Sequence, residues 1–385
     1  MSVFGIVCEF NPLHNGHEYL IKEARKLGAE KIVCIMSGNS TQRGDFAITD
    51  KYSRAEAAVR CGADAVFELP FPWCSASADY FAVAGVAIAD EFCDKLLFGS
   101  ECGDVELLSR AAELCENASF KEDYLSKTAS GEGAASSFAK ILEENGICGL
   151  SSNDLLGIAY IRAIKRLNSK LEAMTVNRLG ADYNCSEITK KKYQSATALR
   201  AKILNGESVE AHIPSPMNAI LERERNNGHL TDMTEFDSAV LAFFRLADAS
   251  SFDGVCDATG GIANRIIDAA RSSTSYGEMF DRIRTKRYTD AKLRRAILFC
   301  MTDTKEEAVC SFPEYTTLLA LNAKGRELIA SNRKKRNLAV VTKPADAPAG
   351  VQKTQSLKLD AIYTLARKNK ISCDAFVKKS VYVEK

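Results

Sequence analysis

Apolar residues in the first 180 positions fall into short continuous runs that alternate with stretches of helical periodicity. VFGIVCEF (3–10), KIVCIMS (31–37), DAVFELP (64–70), KLLFGS (95–100) and a run at about 172–178 have the length and β-branched content of strands covered on both faces. Between the first two, Leu20, Ile21, Ala24 and Leu27 recur at helical spacing from about His17, and Gly28 supplies a stop. KYSRAEAAVRCG (51–62) is a second helix ended by glycine, and further helices are predicted near 104–116, 134–145 and 153–167. Strands alternating with helices in this way predict an α/β fold, a doubly wound parallel sheet.

Beyond IPSP (213–216), whose prolines break regular structure, the strand signal fades. Helical patterns follow at about 235–248, 262–271, 276–286, 290–300, 315–331 and 356–369, with a loop at 342–354. The division this suggests is a catalytic domain over 1–212 and a mostly helical, basic domain over 213–385. A length of 385 residues agrees with two domains.

Composition changes the picture in three places. The net charge of +1 hides an asymmetry: residues 331–385 hold 13 Lys or Arg against 4 Asp or Glu, a local +9 that leaves −8 for the rest. The tail is therefore a candidate surface for a polyanion. The 13 cysteines include no C-x-x-C pair and stand singly among apolar neighbours, as free core thiols of a reducing compartment do. No apolar run approaches the roughly 18–20 residues that span a bilayer, and the start lacks the basic flank of a secretory signal. These observations predict a cytoplasmic protein with no membrane partner, and they imply no particular oligomeric state.

FNPLHNGHEYL (10–20) places two of four histidines three residues apart, where the first strand hands over to the first helix. In an open parallel sheet, ligands bind beyond the carboxyl ends of the strands. A helix start offers N–H groups and partial positive charge to phosphate, and Gly16 allows close approach. His14 and His17 can donate from ring nitrogens to a phosphate that gains charge as pyrophosphate leaves. A metal at this pair would lack a third ligand nearby, so none is expected. The dinucleotide fingerprint and the P-loop are both absent.

HNGH after GIVCEFNP resembles the H-x-G-H element of the nucleotidylyltransferase superfamily. The likeness extends through SGNSTQRGD (37–45), FELP (67–70), ADYFA (78–82), FGSE (98–101), SSNDLLGIAY (151–160), NRLGADY (177–183) and SATALR (195–200). In this order they are similar to the bacterial tRNA(Met) cytidine acetate ligase family, densest before residue 205. The chain departs from the usual family stretch at Ser40, Asp45 and the residue before Asn153. The resemblance implies a nucleotidylyltransferase-like Rossmannoid fold and a two-step ligase. Acetate attacks the α-phosphate of ATP, with Mg²⁺, to give acetyl-adenylate, and N4 of the wobble cytidine of elongator tRNA(Met) then takes the acetyl group. It places ATP on Val7, Cys8, Glu9, Phe10, Asn11, Pro12, Leu13, His14, Asn15, Gly16, His17, Glu18, Tyr19 and Leu20. It adds Gly99, Asn153 and Arg178, and, in a serine/threonine-rich phosphate loop, Ser195, Thr197 and Arg200. His14 and His17 are its catalytic residues.

Read without the family, Gly99 is equally a turn glycine, Asn153 an N-cap and Arg178 a solvated cation. Asn39, Gln42 and Arg43 in SGNSTQRGD form a polar loop that could frame acetate or the cytidine. KKKY (190–193), RIRTKRY (282–288), KLRR (292–295) and RKKR (333–336) offer phosphate contacts, with Tyr193 and Tyr288 for stacking. Two rivals remain at this level. One is an adenylyltransferase acting on a small phosphorylated metabolite. The other is a noncatalytic, ATP-responsive RNA-binding protein.

Overall fold

The computed structural model of the chain describes residues 2–129, 133–178, 195–332, 336–373 and 379–384. KKKY with Tyr193, most of NRLGADY and residues 333–335 of RKKR lie outside them.

The predicted parallel strands form. They are β1 (Val3–Cys8), β2 (Lys31–Ser37), β3 (Ala65–Leu69), β4 (Lys95–Ser100) and β5 (Glu172–Asn177). Every residue of β2 and β3 is buried, which is why their runs are continuous rather than alternating. The helices between them are α1 (Asn15–Lys26), α2 (Lys51–Arg60), α3 (Ala78–Asp90), α4 (Val105–Leu114), α5 (Ala118–Ala129), α6 (Ala134–Glu144) and α7 (Ser152–Arg166). Asp50 starts α2 by accepting from the N–H groups of Tyr52 and Ser53, both at 2.9 Å.

The second half contains α8 (Ala196–Leu204), α9 (Ser215–Asn226), α10 (Asp237–Leu246), α11 (Ile262–Ser272), α12 (Tyr276–Ile283), α13 (Asp290–Met301) and α14 (Glu306–Cys310), then β6 (Tyr315–Leu321), α15 (Ala323–Asn332), β7 (Ala339–Val341), α16 (Val351–Tyr363) and β8 (Val381–Tyr382). The helix expected over 315–331 is thus a strand followed by a helix. TTLLAL is buried on both sides, so it shows neither period, and Asn322 breaks it by turning its side chain to Asp64 and to the N–H of Gly325. The second half is therefore helical up to Cys310, after which the chain returns to the sheet.

The strand order is β5-β4-β1-β2-β3-β6-β7, with β8 on β6. All pairs are parallel except β3 with β6. Connections run outward from β1 on both sides, so the order reverses between β1 and β4, the doubly wound arrangement with its switch point there. That ladder is short: only Phe4 with Lys95 and Gly5 with Leu96 pair. Past them the strands part, opening a crevice beside Val7, Cys8, Phe98 and Gly99. Helices pack close beneath it. A Cβ on Gly85 of α3 would lie 3.0 Å from Val7, and one on Gly157 of α7 would lie 2.7 Å from the Phe98 ring.

Among the described residues the cysteines are free. Cys8, Cys34 and Cys74 are buried as expected, whereas Cys148, Cys310 and Cys373 are exposed, in loops and a short helix end that the surrounding sequence did not mark. No described helix is long and apolar enough to cross a membrane.

Candidate active site

The crevice between β1 and β4 is a cavity of about 390 Å³, within the range of small-ligand sites. Of the residues expected at ATP, Val7, Cys8, Glu9, Phe10, Asn11, His17, Leu20, Gly99, Asn153 and Arg178 line it. Gln42 and Arg43 line it too.

His14 and His17 form the start of α1 themselves. His14 is the N-cap and its Nδ1 accepts from the Gly16 N–H at 3.1 Å. His17 reaches back, its Nδ1 accepting from the His14 N–H at 3.3 Å. This is a reciprocal capping box built from imidazoles instead of hydroxyl and carboxylate. With Nδ1 accepting in both rings, the proton of each neutral imidazole sits on Nε2. The rings stack at 3.8 Å, and Phe10 meets His17 edge-on at 5.0 Å. Burial and the nearby Arg178 charge lower the His14 pKa to about 4. Burial, His14 and Arg178 push His17 well below its ordinary value. Two neutral Nε2–H donors result. Two of the backbone donors expected at this helix start are already spent, since Gly16 N–H goes to His14 Nδ1 and His17 N–H to the His14 carbonyl at 2.8 Å.

The opposite wall comes from β4, β5 and α7. Asn153 is not the cap of α7: Ser151 holds that place, with Asp154 completing the box. Asn153 is left free to bridge, donating from Nδ2 to Glu101 Oε1 and accepting from Arg178 Nη1 at 3.1 Å. Arg178 Nε also lies 3.5 Å from Glu101. Gly99 is no turn glycine either, since its Cβ would stand 3.0 Å from Arg178 Cγ. The absent side chain lets the arginine cross the strand. Asp154 fastens this wall from behind, accepting from Ser100 Oγ at 2.7 Å and from the N–H groups of Glu101, Cys102 and Ser151 at 2.9, 3.1 and 2.8 Å. Burial would raise its carboxyl, but these hydrogen bonds hold it below the usual value.

Two buried cations set the loops. Arg54, fully buried, donates to the carbonyls of Thr49 (3.0 Å), Glu9 (2.6 Å), Ser37 (3.2 Å) and Gly38, tying the loops after β1 and β2 together. Lys51 lies between Glu68 (2.8 Å) and Asp360 of α16 (3.0 Å). Asn39 donates to Asp360 at 2.8 Å and accepts from the Lys51 N–H at 2.9 Å. Asn39 is therefore a fully buried brace for the 37–45 loop, not one of its cavity-facing members. Glu9 Oε1 accepts from the Gln42 N–H at 2.7 Å; burial nevertheless raises its carboxyl against the pull of that bond, Arg200 and Arg43.

The remaining expected residues, His14 and Gly16 among them, do not line the cavity. Pro12 and Leu13 are buried in the loop and Asn15 donates to the Ala211 carbonyl at 3.0 Å. Glu18 pairs with Lys22, and Tyr19 is half-buried on α1. Ser195 caps α8, Thr197 is exposed, and Arg200 reaches from Thr197 Oγ1 (3.3 Å) to the Asn11 carbonyl (2.9 Å). The sequence assigned no role to Phe81, Tyr160 or Glu101, although each stands in a quoted motif; the first two face the cavity.

A model of the HIGH Nucleotidyl Transferase family matches residues 1–375. The tRNA(Met) cytidine acetate ligase of Thermosipho melanesiensis is 34% identical over 367 residues, 90% of this chain and 85% of the relative. That of Caldanaerobacter subterraneus subsp. tengcongensis is 31% identical over 390 residues, 96% of each. A crystal structure of Thermotoga maritima TmcAL bound with alpha-thio ATP matches with a TM-score of 0.88 and 28% identity across the whole of both chains. The chain belongs to the HIGH nucleotidyl transferase family and, within it, to the tRNA(Met) cytidine acetate ligases.

Proposed function

We propose that this chain joins acetate to ATP as acetyl-adenylate and transfers the acetyl group to N4 of the wobble cytidine of elongator tRNA(Met) in the cytoplasm. The observation that carries this reading is the imidazole capping box beside a cavity at the sheet's switch point, in a chain that matches such ligases over nearly its whole length.

In this reading ATP occupies the cavity with its phosphates toward His14 and His17. An acetate oxygen forms a bond to the α-phosphorus as the bond to the bridging oxygen breaks and pyrophosphate leaves. Neutral Nε2–H groups stabilise charge that grows on the phosphoryl oxygens, while their fixed Nδ1 bonds remove the need to reorganise. Arg178, held by Asn153 and Glu101, supplies positive charge on the other wall. Gln42 and Arg43 serve the acetate and cytidine side. The cytidine amine then attacks the acetyl carbon, AMP leaves, and the amine gives up a proton. Cytosine N4 is conjugated with its ring, so it needs this activated acyl group. In this reading Mg²⁺ arrives on the triphosphate.

Several arginines of the basic clusters within the described residues are already paired. Arg284 pairs with Asp281 and Asp290, Arg294 with Asp45, and buried Arg295 with Asp257. Tyr288 gives its hydroxyl to the Gly260 carbonyl and stacks under Arg287 and Lys292. We assign tRNA contact to Arg287 and Lys292 in preference to the paired arginines. Incubation of tRNA(Met) with the protein, ATP and labelled acetate, followed by nucleoside analysis, should yield labelled N4-acetylcytidine. Label in AMP esters alone, with unmodified tRNA, would sink the proposal.

A further inference from the structure

Acyl transfer to an amine needs a proton acceptor. Once cytosine N4 has bonded to the acetyl carbon its nitrogen is cationic, and unless it loses a proton the tetrahedral adduct expels the amine instead of AMP. Few of the described residues lining the cavity between β1 and β4 can take that proton. His17 has its Nδ1 occupied by the His14 N–H and carries its own proton on Nε2. Asn11 Oδ1 accepts from the Ile48 N–H at 2.8 Å. The Cys8 thiol and the Tyr160 hydroxyl stay neutral, because burial pushes both well up. Glu101, behind the opposite wall, is spent on Ser151, Asn153 and Arg178. Among the described residues Glu9 is the one carboxylate of the lining.

Glu9 directly follows β1, and its position is fixed at two points. Its carbonyl accepts from Arg54 Nη1 at 2.6 Å, and its Oε1 accepts from the Gln42 N–H at 2.7 Å. The second bond sets the carboxylate beside the loop read above as the acetate and cytidine side. Oε2 has no hydrogen-bond or ion-pair partner among the described residues, and it stays accessible on a half-buried residue. Arg54 from α2, Arg43 from the 37–45 loop and Arg200 from α8 face the carboxylate with positive charge, and Cys8 and Tyr160 of α7 are the neutral titratable groups around it. Arg54 and Arg200 direct their N–H groups to other acceptors, chiefly the carbonyls of Thr49, Glu9 and Asn11, so they leave Oε2 unbonded. Burial outweighs these cations and the Gln42 bond and raises the carboxyl above its ordinary 4.5, a shift that makes the anion a stronger base.

We propose that Glu9 is the general base of acetyl transfer: its Oε2 takes the proton from N4 as N4 bonds to the acetyl carbon, and AMP leaves with the electron pair of the breaking carbon–oxygen bond. The assignment rests on the function proposed above. Its test bypasses the first step. Full-length protein in excess over tRNA(Met) receives saturating synthetic acetyl-adenylate, and one turnover of N4-acetylcytidine formation is followed between about pH 4 and 8. In the unaltered protein the rate should rise about tenfold per pH unit and level off through a midpoint above 4.5. Glu9→Gln keeps an amide oxygen for the Gln42 N–H, so it removes the base and leaves an acceptor for that bond. Its plateau should fall about a hundredfold or more, without the rise seen in the unaltered protein. Acetate-dependent pyrophosphate exchange moves no amine proton, so the ratio of transfer to exchange should drop at least about tenfold. An unchanged ratio, whether both rates hold or both fall together, overturns the assignment. Should the variant fail to fold, the unaltered protein still decides, because a transfer rate level over the whole pH range overturns it too. If the unaltered protein forms no N4-acetylcytidine from acetyl-adenylate, the proposed function falls and the assignment with it. If the product forms and the ratio is unchanged in the variant, the assignment alone falls.

Discussion

Asp154 is where folding and the candidate site meet, so its replacement gives a sharp prediction. In Asp154→Asn one oxygen becomes an amide that cannot accept. If the remaining oxygen keeps Ser100 and the N–H groups of Glu101 and Cys102, the new amide faces the Ser151 N–H, now at 2.8 Å from Oδ2. A buried donor loses its partner, at about 1–3 kcal/mol, and the surviving bonds lose their charge assistance. The sum is about 3 kcal/mol at pH 7, read from urea denaturation. Because the carboxyl is held below its ordinary 3.8 in the folded chain, its contribution is complete above that value and is lost as pH falls through the lower folded value. The gap between the two proteins should therefore close below about pH 4. Glu101 and Asn153 also lose their anchor, and ATP affinity should weaken roughly tenfold, or 1.4 kcal/mol. A stability loss under about 1 kcal/mol with unchanged ATP affinity would refute the reasoning.

Three further outcomes are expected. Gly99→Ala puts a Cβ 3.0 Å from Arg178 Cγ; the KM for ATP should rise about tenfold with the melting temperature nearly unchanged, and an unchanged KM would show that the arginine does not need the groove. In NMR titration of the ATP-free protein, the His14 ring, identified by its loss in His14→Gln, should titrate near 4 and His17 well below its ordinary 6.5; since both folded values are depressed, the neutral rings favour folding above about 6.5 and that advantage shrinks as pH falls. A midpoint near 6.5 for either ring would remove the neutral-donor account. Asp360→Ala leaves Asn39 without its acceptor and Lys51 with Glu68 alone, and should cost about 3 kcal/mol in thermal or urea unfolding; a neutral result would mean that α16 does not brace the 37–45 loop.

The five parallel strands were legible because strands covered on both faces read as unbroken apolar runs, and their turns carry glycine or proline. The same property hid two elements. ADYFAVAGVAIAD gives α3, yet it is so apolar that no helical stripe stands out, and TTLLAL looked helical because the true helix α15 follows it directly. The antiparallel return of β6 to β3 depends on pairing between residues some 250 positions apart, which no local pattern carries. At the site, HNGH announced itself by spacing, but two of its backbone donors prove to be consumed by the rings. Gly99 and Asn153 looked like a turn and a cap, and only their contact with Arg178 from β5's end separates them from those ordinary roles. Nothing in KYSRAEAAVRCG marks Lys51 or Arg54 as interior, yet both are buried among carbonyls and carboxylates from distant loops.

The central claim is that His14 and His17 hold a triphosphate while acetate displaces pyrophosphate. Its most direct test is exchange of labelled pyrophosphate into ATP, without tRNA, for the unaltered protein and for His17→Ala. The account predicts exchange that requires acetate and falls by about a hundredfold or more in the variant. Exchange that proceeds without acetate, or that survives loss of the imidazole at full rate, would contradict it.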